Sequence, residues 1–186
     1  MFAATLFTSI ISSVPQQPPC PRGHFCPSAS LAPRACPRGT YNPELGSEFP
    51  RDCRPCPAGY VCAVEAIASL DGLECPRGYV CPRGSGAAVP CAAGTHSNKA
   101  SRTRGADCAP CPAGHVCPAG STLPRACAGG TFCPAGATDE TRCPEAHYCP
   151  RATPEALPCP AGSSCAAGSA VPAPCARGTV CPARSA

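Results

Sequence analysis

Tryptophan is absent from this sequence, methionine occurs once, and Lys99 is the only lysine. Leu, Ile, Val and Phe together number 23 of 186 residues, about an eighth of the chain. Below roughly 20% of these residues, a chain rarely buries enough apolar surface to offset the entropy lost on folding. A conventional hydrophobic core is therefore excluded as the main source of stability. Runs of five or more basic residues are also missing, and only nine Phe and Tyr are present. A nucleic-acid surface would need a basic stripe with stacking aromatics, so the net charge of +4 reads as a solvated, mixed-sign surface. No stretch reaches the roughly 20 apolar residues of a membrane span. The catalytic signatures are missing too: no His-Glu-x-x-His, no Gly-x-Ser-x-Gly and no P-loop. An enzyme is not expected, and no cofactor is implied.

What is abundant is cysteine (20), proline (27) and glycine (18). Cysteine makes up about 11% of the chain, above the 8–10% that marks a disulfide scaffold, and the even number lets every one pair. Such density demands an oxidising compartment. Residues 2–14 are apolar or small and end at Pro-Gln-Gln-Pro-Pro. They resemble the apolar region of a secretory signal, without its positive flank. Residues 1–19 are thus expected to be signal-peptide-like or disordered, and residues 20–186 to be tandem cysteine-rich repeats. The expected location is secreted or cell-surface.

From Cys111 onward, steps of 6 and 10 residues alternate, a strict sixteen-residue period. Eight short C-x5-C units run Cys20–Cys26, Cys56–Cys62, Cys75–Cys81, Cys111–Cys117, Cys127–Cys133, Cys143–Cys149, Cys159–Cys165 and Cys175–Cys181. Two long units, Cys36–Cys53 and Cys91–Cys108, interrupt them, each joined by C-x-x-C to a following short unit. Seven short units and both long ones carry Gly three residues after the first Cys; the exception is Ala146. Spacers rich in Pro, Ala, Ser and Gly predict turns and extended segments. Only residues 63–74, AVEAIASLDGLE, show an i, i+3, i+4 apolar pattern, which predicts one or two helical turns there.

Proline after the first Cys fixes φ near −65°, and the glycine two residues on accepts φ > 0. Together they reverse the chain between the cysteines, which brings the sulfurs within disulfide reach. Pairing within each unit uses all twenty cysteines. Pairing across spacers would strand Cys20 and Cys181 and force Cys53 onto Cys56, so the within-unit phase is favoured. An interleaved first-to-third, second-to-fourth pattern stays open, because connectivity does not follow from spacing alone.

Zinc sites want two C-x2-C pairs at a defined distance. The two such steps, Cys53–Cys56 and Cys108–Cys111, lie 55 residues apart, and C-x5-C is a poor chelate spacing. His24, His115 and His147 each stand four residues after a first Cys, where other units hold Tyr60, Tyr79, Thr40, Thr95, Thr131, Ser163 and Thr179. A place open to His, Tyr, Thr and Ser reads as a half-exposed strand position, not a ligand. A thiol nucleophile needs a free Cys beside a base, and the periodic set leaves none over. No metal or catalytic residue is assigned.

The stretch CPRGTYNPELGSEFPRDCRPCPAGYVC, residues 36–62, resembles the ephrin-receptor-like cysteine-rich module. CAAGTHSNKASRTRGADCAPCPAGHVC, residues 91–117, is similar but has His96 where the module usually has Tyr. These modules are similar in turn to tumour necrosis factor receptor-like and EGF-like repeats. The resemblance implies an extracellular, disulfide-bonded, rod-like array. The expected fold is small, disulfide-rich and mostly irregular, with short β-ribbons and no conventional core. The expected role is a stalk, spacer or adhesive module, alone or as part of a larger surface protein, with an unidentified protein or glycan partner. The alternative is a thiolate metal-binding protein in a reducing compartment.

Overall fold

The computed structural model describes residues 18–178, 180–183 and 185; the signal-like segment 2–14 lies outside them. Cys-Pro-x-Gly works as a turn. In the repeat that starts at Cys75, the Tyr79 amide donates to the Pro76 carbonyl at 3.2 Å, and Gly78 takes the third turn position at φ +80°. A side chain is strained in that region of φ, and glycine is not. The next two residues, Tyr79–Val80, pair antiparallel with Val89–Pro90. The Cys91 amide then closes on the Gly78 carbonyl at 2.8 Å. Proline is tolerated in so short a ribbon because an edge strand can leave one side without donors.

Ten repeats follow this plan, starting at Cys20, Cys36, Cys56, Cys75, Cys91, Cys111, Cys127, Cys143, Cys159 and Cys175. Eight have a two-stranded ribbon. The Cys56 repeat has a single bridge, Tyr60 to Glu74, and in the Cys175 repeat no ribbon is seen among the described residues. The turn is used twice per repeat: in short units the second cysteine opens Cys-Pro-x-Gly or a variant, and in the long units the second turn follows Asn42 and Ser97, with Gly46 and Ser101 at positive φ. Gly84, Gly120, Gly136 and Gly168 there have positive φ, and so do Ala29 and Ala152. No α-helix occurs among the described residues.

Successive repeats are stitched by backbone hydrogen bonds. The Gly78 amide donates to the Ser97 carbonyl at 2.9 Å, the Cys81 amide to Arg102 at 2.8 Å, and the Ser101 amide back to Cys75 at 2.9 Å. The first bond recurs at every junction, from Gly23 with Asn42 to Gly162 with Cys181. Repeats two apart also touch. A Cβ on Gly78 would sit 2.3 Å from the Gly120 carbonyl oxygen, and one on Gly114 would sit 2.1 Å from that of Ala152. The array is therefore quasi-one-dimensional, as in other stacked repeats: an elongated, disulfide-rich chain of small loops.

Burial falls mostly on sulfur. Phe25 packs on Cys36 and Cys53, Val80 on Cys91 and Cys108, and Val116 on Cys127 and Cys133. In each case an apolar residue five after a first Cys covers the disulfide of the next repeat. Four small satellite clusters replace one core.

Residues 63–74 do not form the expected helical turns. Ala66 has φ +59° and Gly72 φ +73°, conformations that no right-handed helix contains. Ile67 is buried, with its carbonyl accepting from the Asn42 amide at 2.9 Å. Leu70 and Leu73 pack with it on Cys56 and Cys62. Tertiary packing used the apolar residues that mimicked a helical stripe. The only helical turns among the described residues are 3-10, at Pro50–Asp52 and Gly105–Asp107, inside the two long units.

Candidate functional site

All twenty cysteines are paired within their units, in ten disulfides: Cys20–Cys26, Cys36–Cys53, Cys56–Cys62, Cys75–Cys81, Cys91–Cys108, Cys111–Cys117, Cys127–Cys133, Cys143–Cys149, Cys159–Cys165 and Cys175–Cys181. No thiol is free. The C-x2-C steps hold no dithiol, because Cys53 bonds back to Cys36 and Cys56 forward to Cys62. The residues between them, Arg54–Pro55, are a ribbon strand paired with Thr40–Tyr41.

The long units hide a substitution that spacing does not reveal. Counting from the first Cys, the second Cys of a short unit is six residues on. In the long units that place belongs to Asn42 and Ser97. Asn42 is fully buried and Ser97 nearly so, and both make the junction bonds that a second Cys makes elsewhere. The Asn42 Nδ2 donates to the His24 carbonyl at 2.9 Å, and its Oδ1 accepts from the Glu44 amide. The Ser97 hydroxyl donates to Lys99 and accepts from Arg102 Nε, each at 3.3 Å. Hydrogen bonds here replace the cross-link, which has moved to Cys53 and Cys108.

The fourth position is used alike by unlike residues. His24, His115 and His147 place Nδ1 at 2.9–3.1 Å from the carbonyl two residues back. A carbonyl only accepts, so Nδ1 carries the proton. Thr40 and Thr95 donate to the carbonyl three residues back, both at 2.6 Å. Each of these imidazoles and hydroxyls fastens its own turn, which explains why His and Thr interchange there. His96 stands one place later, at an apolar plug position, and its buried Nδ1 has no partner. Among the described residues, no three His, Cys, Asp or Glu side chains come together to hold a metal.

Charges are dispersed. Arg54 pairs with Glu44 at 3.2 Å and Arg125 with Glu140 at 2.6 Å, while Arg51 lies over the Phe49 ring at 4.1 Å. Two carboxyls are held below their ordinary range. For Asp107 the cause is donation from the Thr103 and Arg104 amides, and for Glu140 it is the Thr131 hydroxyl, then Arg125. A cleft of about 250 Å³ lies at the N-terminal end, lined by Pro18, Pro19, Cys26, Ser30, Leu31 and Pro33.

No helix of the described residues is long and apolar enough to cross a membrane. Ten disulfides fit an oxidising compartment. Neither protein-family models nor curated proteins match the chain.

Proposed function

We propose that the protein is an extracellular structural or interaction module, a stalk, spacer or adhesive array of the ephrin-receptor-like kind. The observation that carries this reading is the distribution of contacts. Every repeat is bonded to its neighbours along the array and clamped by its own disulfide, so adding a repeat adds length without changing the rest. Support for the resemblance comes from the long unit and its joint, where the 36–53 and 56–62 bridges share one ribbon. The reading assigns secretion and a protein or glycan partner. A thiolate metal protein needs thiolates, and a disulfide sulfur is not one.

Thiol titration of the protein from its native source, with metal analysis of the same sample, tests this. No reactive thiol under denaturing, non-reducing conditions is the expected result. Mostly reduced cysteines with bound zinc or copper would replace this reading with the metal-binding one.

A further inference from the structure

Cys-Pro-Arg-Gly and Cys-Pro-Ala-Gly make the same turn. With arginine in the second turn position, the Tyr79 amide reaches the Pro76 carbonyl at 3.2 Å and Gly78 holds φ +80°. With alanine there, the Tyr60 amide reaches the Pro57 carbonyl at 3.2 Å and Gly59 holds φ +89°. The turn does not require the guanidinium, so an arginine at this place is free for another use.

The fold sets three such arginines in a row. The first turns of the repeats from Cys20 to Cys127 each meet the second turn of the repeat two further on. Where the Cys36 repeat meets the Cys75 repeat, a Cβ on Gly39 would stand 2.6 Å from the Gly84 carbonyl oxygen, and one on Gly86 would stand 3.4 Å from the Arg38 Cβ. Arg38 and Arg83 thus belong to two touching turns, Pro37–Arg38–Gly39 and Pro82–Arg83–Gly84. The same edge continues through Arg77, in the first turn of the Cys75 repeat, where Gly78 meets Gly120 two repeats on. All three arginines are exposed, and no guanidinium of the three has a hydrogen-bond or ion-pair partner among the described residues. Cations elsewhere have acidic company. Arg54 and Arg125 pair with Glu44 and Glu140, and the turn of Arg22 meets Ala66, next to Glu65. At the Cys36 contact, Arg83 stands where Glu65 stands in that one. Like charges set side by side oppose a contact, unless an anion lies across them.

We propose that this edge, Arg38, Arg83 and Arg77, binds a sulfated glycan, with sulfate groups on successive guanidiniums. The proposal rests on the extracellular reading above and narrows its partner to one class. A guanidinium fork matches an oxyanion with two parallel N–H donors. One exposed contact is weak, so a ligand with a single anion gains little. A polymer with charges at intervals engages all three together. A nucleic-acid site would add stacking aromatics, and the one exposed aromatic among the described residues, Phe49, is covered by Arg51.

Calorimetric binding of the full, disulfide-intact chain to a heparin oligosaccharide, over a range of salt, tests this. Affinity should fall with salt at a log–log slope of about −2 to −3 for three contacts, by the counterion release that governs nucleic-acid binding. Replacing Arg38, Arg77 and Arg83 together with alanine should weaken binding about tenfold or more and flatten the slope. The disulfide map of that variant should match the parent, because alanine already serves in the turns after Cys56 and Cys111. Replacing Arg22, Arg104 and Arg151 with alanine removes the same charge elsewhere, and should change affinity by less than about threefold. A disulfide-intact chain that does not bind the oligosaccharide overturns the proposal and leaves the extracellular reading standing, which the thiol titration tests separately. Equal losses in the two variants also overturn it, as does undiminished binding to the desulfated oligosaccharide, or tighter binding to phosphatidylserine vesicles or single-stranded DNA.

Discussion

The Cys36 and Cys56 repeats lie side by side and solve one problem in two ways. In the short unit the sulfur at the sixth position closes a ring of seven residues. In the long unit Asn42 takes that position, and the cross-link reaches 17 residues to Cys53. Yet the Gly39 and Gly59 amides make the same bond to the next repeat, at 2.9 and 2.8 Å. The backbone ladder is therefore the constant, and the disulfide is a clamp that fits in either of two places. What specifies a repeat is a pair of left-handed turns at set spacing, with sulfur holding them closed.

If the ladder is common to both kinds of unit, breaking it should not distinguish them. Gly94 in a long unit and Gly114 in a short one face carbonyls two repeats on, at 2.6 and 2.1 Å from an added Cβ. Valine at either place meets immovable backbone at positive φ, and each variant should lose about 4 kcal/mol or more, the range of severe core disruptions. Urea unfolding followed by amide exchange would measure it. A large loss at one site alone would break the equivalence.

Removing the clamps should separate the two kinds. On the chain-entropy account, a seven-residue ring contributes about 2.3 kcal/mol and an eighteen-residue ring about 3.2 kcal/mol. Replacing Cys91 and Cys108 with serine should thus cost more than replacing Cys111 and Cys117. Asn42→Ala should cost about 1–3 kcal/mol by leaving the half-buried His24 carbonyl unpaired. Smaller again is the conversion of one kind into the other. Asn42→Cys with Cys53→Ser turns the long unit short, and should cost about 1 kcal/mol, mainly the difference between the two rings. Peptide mapping should find Cys36 joined to the thiol introduced in place of Asn42. Scrambled pairing would show that Asn42 does not occupy the second-cysteine position.

The first turn of each repeat was legible because Cys-Pro-x-Gly carries its own geometry: a fixed φ, then a residue free to take φ > 0. The fold class followed from cysteine excess and aliphatic poverty. The second turn was written in the same letters, at Gly84, Gly120 and Gly136. It was obscured because Ala29, Ala66, Ser101 and Ala152 hold the same left-handed conformation without being glycine. At Ala66, Ser101 and Ala152 an amide bond to the preceding repeat holds it, and local propensity does not foretell that. Asn42 and Ser97 were invisible for a related reason: nothing in an asparagine or serine marks it as standing where a cysteine stands elsewhere. Residues 63–74 misled because Val64, Ile67, Ala68 and Leu70 space themselves like a helix face, whereas only Ile67 and Leu70, with Leu73, fill the gap beside Cys56 and Cys62 and Val64 is exposed.

The smallest expected difference between the units is electrostatic. The long unit from Cys91 folds its extra residues around Asp107, whose carboxylate accepts from the Thr103 and Arg104 amides, both at 3.0 Å. The short repeat from Cys127 uses Glu140 to tie Arg125 at 2.6 Å and Thr131 at 3.0 Å. Both carboxyls are held below their ordinary values of 3.8 and 4.5. A depressed folded value means the bonds support the fold fully above those values and are lost as pH falls through the folded ones. Both groups stand half-buried at the surface, so the global effect is slight and local order is the proper readout. On acidification below 3.8, amide protection at Thr103 and Arg104 should fall with the Asp107 titration, and Asp107→Asn should remove that pH dependence. Protection at Arg125 and Thr131 should be unaffected by that variant. A joint loss would mean that acid opens the array as a whole, and that the two loops are not held separately by their own carboxylates.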